Sequence, residues 1–117
     1  MLIVYDSLTG LGKKFAESLG YPARSVDADA AGEKCVLVTR NVGLGKIPPS
    51  TADFLERNKE SVVGVVVNGN KKFGPFYCKA ADKINKLYGI SVIRKISGSG
   101  TKEDIDFVKN YIKNPPF

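Results

Sequence analysis

Leu2-Ile3-Val4-Tyr5-Asp6-Ser7-Leu8-Thr9-Gly10-Leu11-Gly12-Lys13 opens with four apolar residues and runs through a polar loop into the tetrapeptide GLGK. A short, unbroken apolar run is the pattern of a strand buried on both faces, as in a parallel sheet covered by helices. Beyond the loop, Leu11, Phe15, Ala16 and Leu19 recur at helical spacing, and Gly20 and Pro22 stop the helix they predict. The same tetrapeptide returns at Gly43-Leu44-Gly45-Lys46, again after an apolar run, CVLVT at 35–39. Whether the two copies meet depends on the topology.

The rest of the chain repeats the strand-and-helix alternation. Residues 23–26 read as a short extended piece, followed by the polar DADAAGEK at 27–34. After the second GLGK, Ser50 is expected to cap a helix, with Asp53 at the capping-box position and Phe54 and Leu55 facing inward. Residues 62–68, VVGVVVN, form the most apolar strand, and GNKKFGPF at 69–76 is its exit loop. A helix over about 76–88 would bury Ala80, Ala81, Ile84 and Leu87 or Tyr88. Residues 90–96 are a last strand, and SGSG is a turn. Thr101 with Asp104 repeats the capping-box pattern before a helix burying Ile105, Val108 and Ile112. Five such strands in 117 residues predict an α/β domain over 1–117. Its sheet would be doubly wound and parallel, in the flavodoxin-like order 2-1-3-4-5. Only about eight residues separate the second strand from the third, fewer than the dozen a helical crossover needs, so that crossover is shortened to a turn.

Composition narrows the chemistry. An apolar fraction of 43% and a charged fraction of 26% are those of a soluble globular protein. No apolar stretch approaches the roughly 20 residues that span a bilayer, and MLIVYDSLTG lacks the basic start of a signal peptide. There is no histidine, and Cys35 and Cys78 form no CxxC. Histidine acid–base catalysis, Ser-His and Cys-His triads and most zinc sites are thereby excluded. Unpaired cysteines fit a reducing cytoplasm. Chemistry, if any, is expected from a bound cofactor. The net charge of +6 favours anionic partners, or simply makes a solvated basic surface, since the lysines are dispersed. No dense basic stripe with interleaved aromatics suggests nucleic acid.

In the 2-1-3-4-5 order the chain reverses between strands 1 and 3, and ligands sit outside the carboxyl ends there. Both GLGK copies and the GNKKFGPF loop would then line one crevice. Ser7, Thr9 and the amides around Gly10 and Gly12 precede a helix, whose N-terminus suits a phosphate. The loop is neither a P-loop nor GxGxxG, because the spacing is wrong and Phe15 stands at the third glycine position. A strand-to-helix turn without ligand remains the alternative. Asn41, Val42, Gly43, Leu44 and Gly45, and then Asn68, Gly69, Asn70, Phe73, Gly74 and Phe76, look like two walls for a flat heterocycle, Phe73 either stacking on it or anchoring its loop.

MLIVYDSLTG, VTRNVGLGKIPPSTADFLERN, VVVNGNKKFGPFYCKAADKINKLYGI and SGSGTKEDIDFVKNYI together resemble the NrdI family along nearly the whole chain. The resemblance implies a small flavodoxin-like FMN protein serving class Ib ribonucleotide reductase. It implies phosphate contacts from Ser7, Leu8, Thr9, Gly10, Leu11 and Gly12. It implies isoalloxazine contacts from Arg40, Asn41, Val42, Gly43, Leu44 and Gly45 on one side and Asn68, Gly69, Asn70, Phe73 and Gly74 on the other. In the family, FMN reduced by an electron donor reacts with O2. The oxidant, superoxide or a related species, goes to the reductase small subunit, where it helps generate the dimanganese-tyrosyl radical cofactor. Two departures stand out: Leu11 replaces a common asparagine, and Arg40-Asn41-Val42 replaces a stretch usually rich in Thr and Tyr. Arg40, Lys46, Lys71 or Lys72 near the flavin would stabilise its anionic reduced forms. Alternatives are a flavodoxin-type one-electron carrier for another acceptor, or a flavin-free module binding anions through its basic surface.

Overall fold

The computed structural model describes residues 1–28 and 32–115. Its strands are β1 (Leu2–Tyr5), β2 (Ala23–Ser25), β3 (Cys35–Arg40), β4 (Val62–Gly69) and β5 (Val92–Ser97). Its helices are α1 (Leu11–Ser18), α2 (Pro49–Asn58), α3 (Lys79–Tyr88) and α4 (Lys102–Lys113). All five strands pair in parallel in the order β2-β1-β3-β4-β5, as the alternation of apolar strands and helices requires.

Side chains alternate across the sheet with a period of two. Leu2, Val4, Cys35, Leu37, Val65 and Val67 pack with Phe54 and Leu55 of α2 and Ala80, Ala81 and Ile84 of α3. Ile3, Val36, Val38, Val66, Ile93 and Ile96 pack with Phe15 and Ala16 of α1 and Val108 of α4. Both faces are covered, which is why β1, β3 and β4 carry no polar alternation, while the edge strand β5 carries Arg94 and Lys95. Between β2 and β3 the described residues hold no helix, so the crossover is short; residues 29–31 of the 27–34 stretch lie outside the described residues.

Local expectations fail at three places, each for a physical reason. Ser50 does not cap α2: Pro48 stands at the cap and Pro49 at the first helical position, where a missing N–H costs nothing. The Ser50 hydroxyl is used elsewhere, on Asp6. α3 begins at Lys79 rather than near 76, because Pro75 and the left-handed Gly74 (φ 55°, ψ −117°) break the preceding 3₁₀ turn, Lys71–Phe76. Leu11 is exposed at 43% while Gly12 takes the buried position of that turn. Of the two alternatives left open on α3, it is Tyr88 that packs inward, with Leu87 exposed. The capping box of α4 is present as expected, Thr101 and Asp104 exchanging their side-chain to backbone hydrogen bonds at 3.1 and 2.8 Å.

Candidate functional site

At the carboxyl ends of β1, β3, β4 and β5 a cleft of about 470 Å³ opens, within the size range of small-molecule sites. It lies where the strand order reverses. Ser7, Leu8, Thr9, Leu11, Gly12, Arg40, Asn41, Asn68, Gly69 and Asn70 line it, together with Asp6, Ser97 and Gly98. Gly10, Val42, Gly43, Leu44, Gly45, Phe73 and Gly74 do not.

The first loop is built for backbone exposure. Gly10 adopts φ +89°, a left-handed conformation that leads directly into α1. Its amide donates to Ser7 Oγ at 3.0 Å, and the Leu11 amide reaches Thr9 Oγ1 at 3.5 Å. The loop thus satisfies part of the helix N-terminus, and Leu11 and Gly12 of the first turn line the cleft. Lys13 does not join them; its ammonium lies 6.0 Å over the Tyr5 ring.

The second GLGK stays outside. Val42 and Lys46 exchange backbone hydrogen bonds at 3.0 and 2.9 Å, closing residues 43–45 into a tight turn. Asn41 braces this turn against the third loop: its Nδ2 donates to the Phe76 carbonyl at 2.9 Å and its Oδ1 accepts from the Ala80 amide at 2.9 Å. Asn70 Oδ1 accepts from the Lys72 amide, and Asn68 Nδ2 donates to the Gly98 carbonyl. The three asparagine side chains therefore shape the walls. Phe73 (51% exposed) and Leu44 (60% exposed) project from the rim loops without lining the cleft.

The cleft floor carries two ionic groups, one of them unanticipated. The Asp6 amide extends the ladder to the Val38 carbonyl at 2.8 Å, which turns its buried carboxylate toward α2. Oδ2 accepts from Ser50 Oγ at 2.5 Å and Thr51 Oγ1 at 2.7 Å. Thr51 spends its single proton on Asp6, so across the 2.5 Å gap to Thr39 Oγ1 it is Thr39 that donates. Arg40 Nε lies 3.4 Å from Asp6 Oδ1. Of the cations expected near a ligand, Arg40 lines the cleft and Lys46, Lys71 and Lys72 do not. The signal for Asp6 was a carboxylate directly after the first strand at the switch point. Ser97 and Gly98 join because β5 lies beside β4.

The thiols are inert in this frame. Burial, then the charge of Glu33, pushes the Cys35 thiol up to about 11. Burial likewise raises Cys78, whose Sγ donates to the Val67 carbonyl at 3.1 Å. Both stay protonated at neutral pH. Among the described residues no cluster of acidic, cysteine or histidine groups is placed to hold a metal, and no helix is long and apolar enough to cross a membrane.

The family model described as NrdI flavodoxin-like matches residues 3–110. The chain belongs to the NrdI flavodoxin-like family. A Protein NrdI of Bacillus licheniformis is 35% identical over 106 residues, covering 89% of this chain and 81% of that one. A short-chain flavodoxin associated with a bacterial microcompartment superposes with a TM-score of 0.73 at 20% identity, covering 96% of this chain and 93% of that one. A Fusobacterium nucleatum flavodoxin bound to flavin mononucleotide gives 0.55 at 17% identity, covering 96% and 93%. At these identities the two structures speak for the fold.

Proposed function

We propose that this NrdI-family chain binds FMN in the cleft and serves class Ib ribonucleotide reductase in the cytoplasm, its partner being the reductase small subunit. The observation that carries the reading is the first loop: Ser7 and Thr9, with Leu11 and Gly12 at the N-terminus of α1, line a cleft at the β1/β3 switch point. The residues present fit the group. The volume of about 470 Å³ suits a flavin nucleotide. Arg40 lines the cleft with its side chain 25% exposed and offers a cationic guanidinium there.

Ser7, Leu8, Thr9, Gly10, Leu11 and Gly12 would hold the phosphate, Leu11 through its amide alone. Asn41, Asn68, Gly69 and Asn70 would bound the ribityl and ring region from the floor, with Arg40 paired to Asp6 beside the phosphate loop. For Val42, Gly43, Leu44, Gly45, Phe73 and Gly74 the reading is of rim loops that meet a ring edge or a partner. When bound, FMN would supply the redox chemistry, reduction by an electron donor and reaction with O2, that would provide an oxidant, superoxide or a related species, for the dimanganese-tyrosyl radical centre of the small subunit. The chain's own work is to hold, orient and desolvate. Exposed Leu8, Leu44, Phe73 and Phe76 around the mouth give that partner an apolar landing surface beside Lys46, Lys71 and Lys72.

The test is an anaerobic titration of the purified chain with FMN followed by visible absorbance, then reduction, O2 addition and radical yield with a manganese-loaded small subunit. Micromolar or tighter binding with radical formation is the expected result. Binding without radical formation would point to the one-electron carrier instead, and absence of flavin binding would overturn both.

A further inference from the structure

Asp6 and Arg40 are the two ionic residues lining the cleft, and they are unequally satisfied. Asp6 Oδ2 takes two hydroxyl protons, from Ser50 and Thr51. Arg40 Nε is shut off from solvent and has no acceptor in hydrogen-bonding geometry among the described residues, although Asp6 Oδ1 lies 3.4 Å away. A guanidinium carries five N–H donors in a rigid fork matched to phosphate oxygens. The Arg40 side chain is 25% exposed, so part of that fork can be reached from the cleft. The floor is therefore a carboxylate locked by α2 hydroxyls and a guanidinium held by it imperfectly.

We infer that Arg40 is the charge-recognition residue of this cleft, drawing the phosphate of the ligand by shifting from Asp6 toward it, while Asp6 opposes the shift and positions the guanidinium at rest. The inference rests on the flavin reading and deepens it, naming why the cleft prefers a phosphorylated flavin to riboflavin. Its distinctive consequence is a pair of opposite effects. Removing the cation leaves a buried carboxylate that repels the phosphate; removing the carboxylate frees the cation. A purely structural ion pair would weaken all ligands whichever partner was lost.

The experiment uses the full chain and measures FMN and riboflavin affinity by fluorescence quenching in wild type, Arg40→Gln, Arg40→Lys and Asp6→Asn. The ratio of the two affinities cancels any general damage to the loops. Arg40→Gln is expected to weaken FMN roughly 10- to 100-fold and riboflavin less than about 3-fold. Arg40→Lys should keep much of the preference, and Asp6→Asn should increase it. Added salt should erode the wild-type preference more than that of Arg40→Gln. Equal losses for both flavins in Arg40→Gln, or no loss of FMN, overturn the assignment, as does a reduced preference in Asp6→Asn. If wild type binds neither flavin, the flavin reading fails and inorganic phosphate decides the Arg40 assignment separately. Thermal stabilisation by phosphate in wild type and not in Arg40→Gln then supports it; the same response in both overturns it.

Discussion

Gly10-Leu11-Gly12-Lys13 and Gly43-Leu44-Gly45-Lys46 are the same four residues with different structures. In the first, Gly10 is left-handed, the Lys14 amide closes on the Gly10 carbonyl at 3.0 Å, and α1 begins. In the second, Gly43 and Gly45 are both left-handed (φ +56° and +80°), and the chain folds back through the Val42–Lys46 pair. Context decides. KFAES follows the first copy and propagates a helix, whereas IPPS follows the second, and a residue before proline is pushed away from helical conformation. The first copy lines the cleft through Leu11 and Gly12, and the second packs Gly45 against Lys79 at the start of α3.

The contrast breaks most sharply at the inner glycines. A Cβ on Gly45 would stand 2.4 Å from Lys79 Cβ at a positive φ, so Gly45→Ala should destabilise by about 2–4 kcal/mol in urea unfolding. Loss below 1 kcal/mol would mean the turn is free of α3. Asn41→Ala removes both braces between the second and third loops, and about 2 kcal/mol is expected, with faster proteolysis within 70–76. Thr51→Val cuts the hydroxyl relay beneath the first loop but leaves Ser50 on Asp6, so a loss of about 1–2 kcal/mol is expected.

Acid probes the support of the first copy. A Cβ on Gly100 would stand 2.6 Å from Phe15 of α1, so the α4 cap sits close on that helix. Burial alone would raise the Asp104 carboxyl, but the hydrogen bonds from Thr101 and Arg94 and the charge of Arg94 outweigh it and lower it. A lowered carboxyl contributes stability that is present above its unfolded value, 3.8, and lost as pH falls through the folded one. Below about pH 4 wild type should therefore lose melting temperature more steeply than Asp104→Asn, which begins lower by roughly 4 °C. Parallel curves would contradict the cap's role. Least affected is Gly12→Ala: its Cβ would meet Ser7 at 3.6 Å, an ordinary contact without positive φ. A change within about 0.5 kcal/mol is expected.

Much of the fold was legible because burial on both sheet faces leaves an unmistakable apolar run in each of β1, β3 and β4. The strand order followed from the alternation of strands with helices and from the number of strands. The first loop was legible for a similar reason, since a strand, two hydroxyls and glycines before a helix form a local pattern. The partners of Asn41, Asn68 and Asn70 were not legible. An amide side chain serves a heterocycle or a neighbouring backbone equally well, and only the packed loops choose. Ser50 illustrates the same competition, its hydroxyl leaving a local cap for a carboxylate 44 residues away.

By itself, then, the sequence determined the alternation of strands and helices, the sheet they build, the loop that opens α1 and, through its family motifs, the class of ligand expected. Those features arise from short-range periodicity and local backbone preference, which neighbouring residues encode. The tertiary structure alone decided that one GLGK enters the cleft and the other braces α3, and that Asp6 and Arg40 meet on its floor. These depend on contacts between residues distant in sequence, where geometry and competition for hydrogen bonds select among partners that are chemically equivalent.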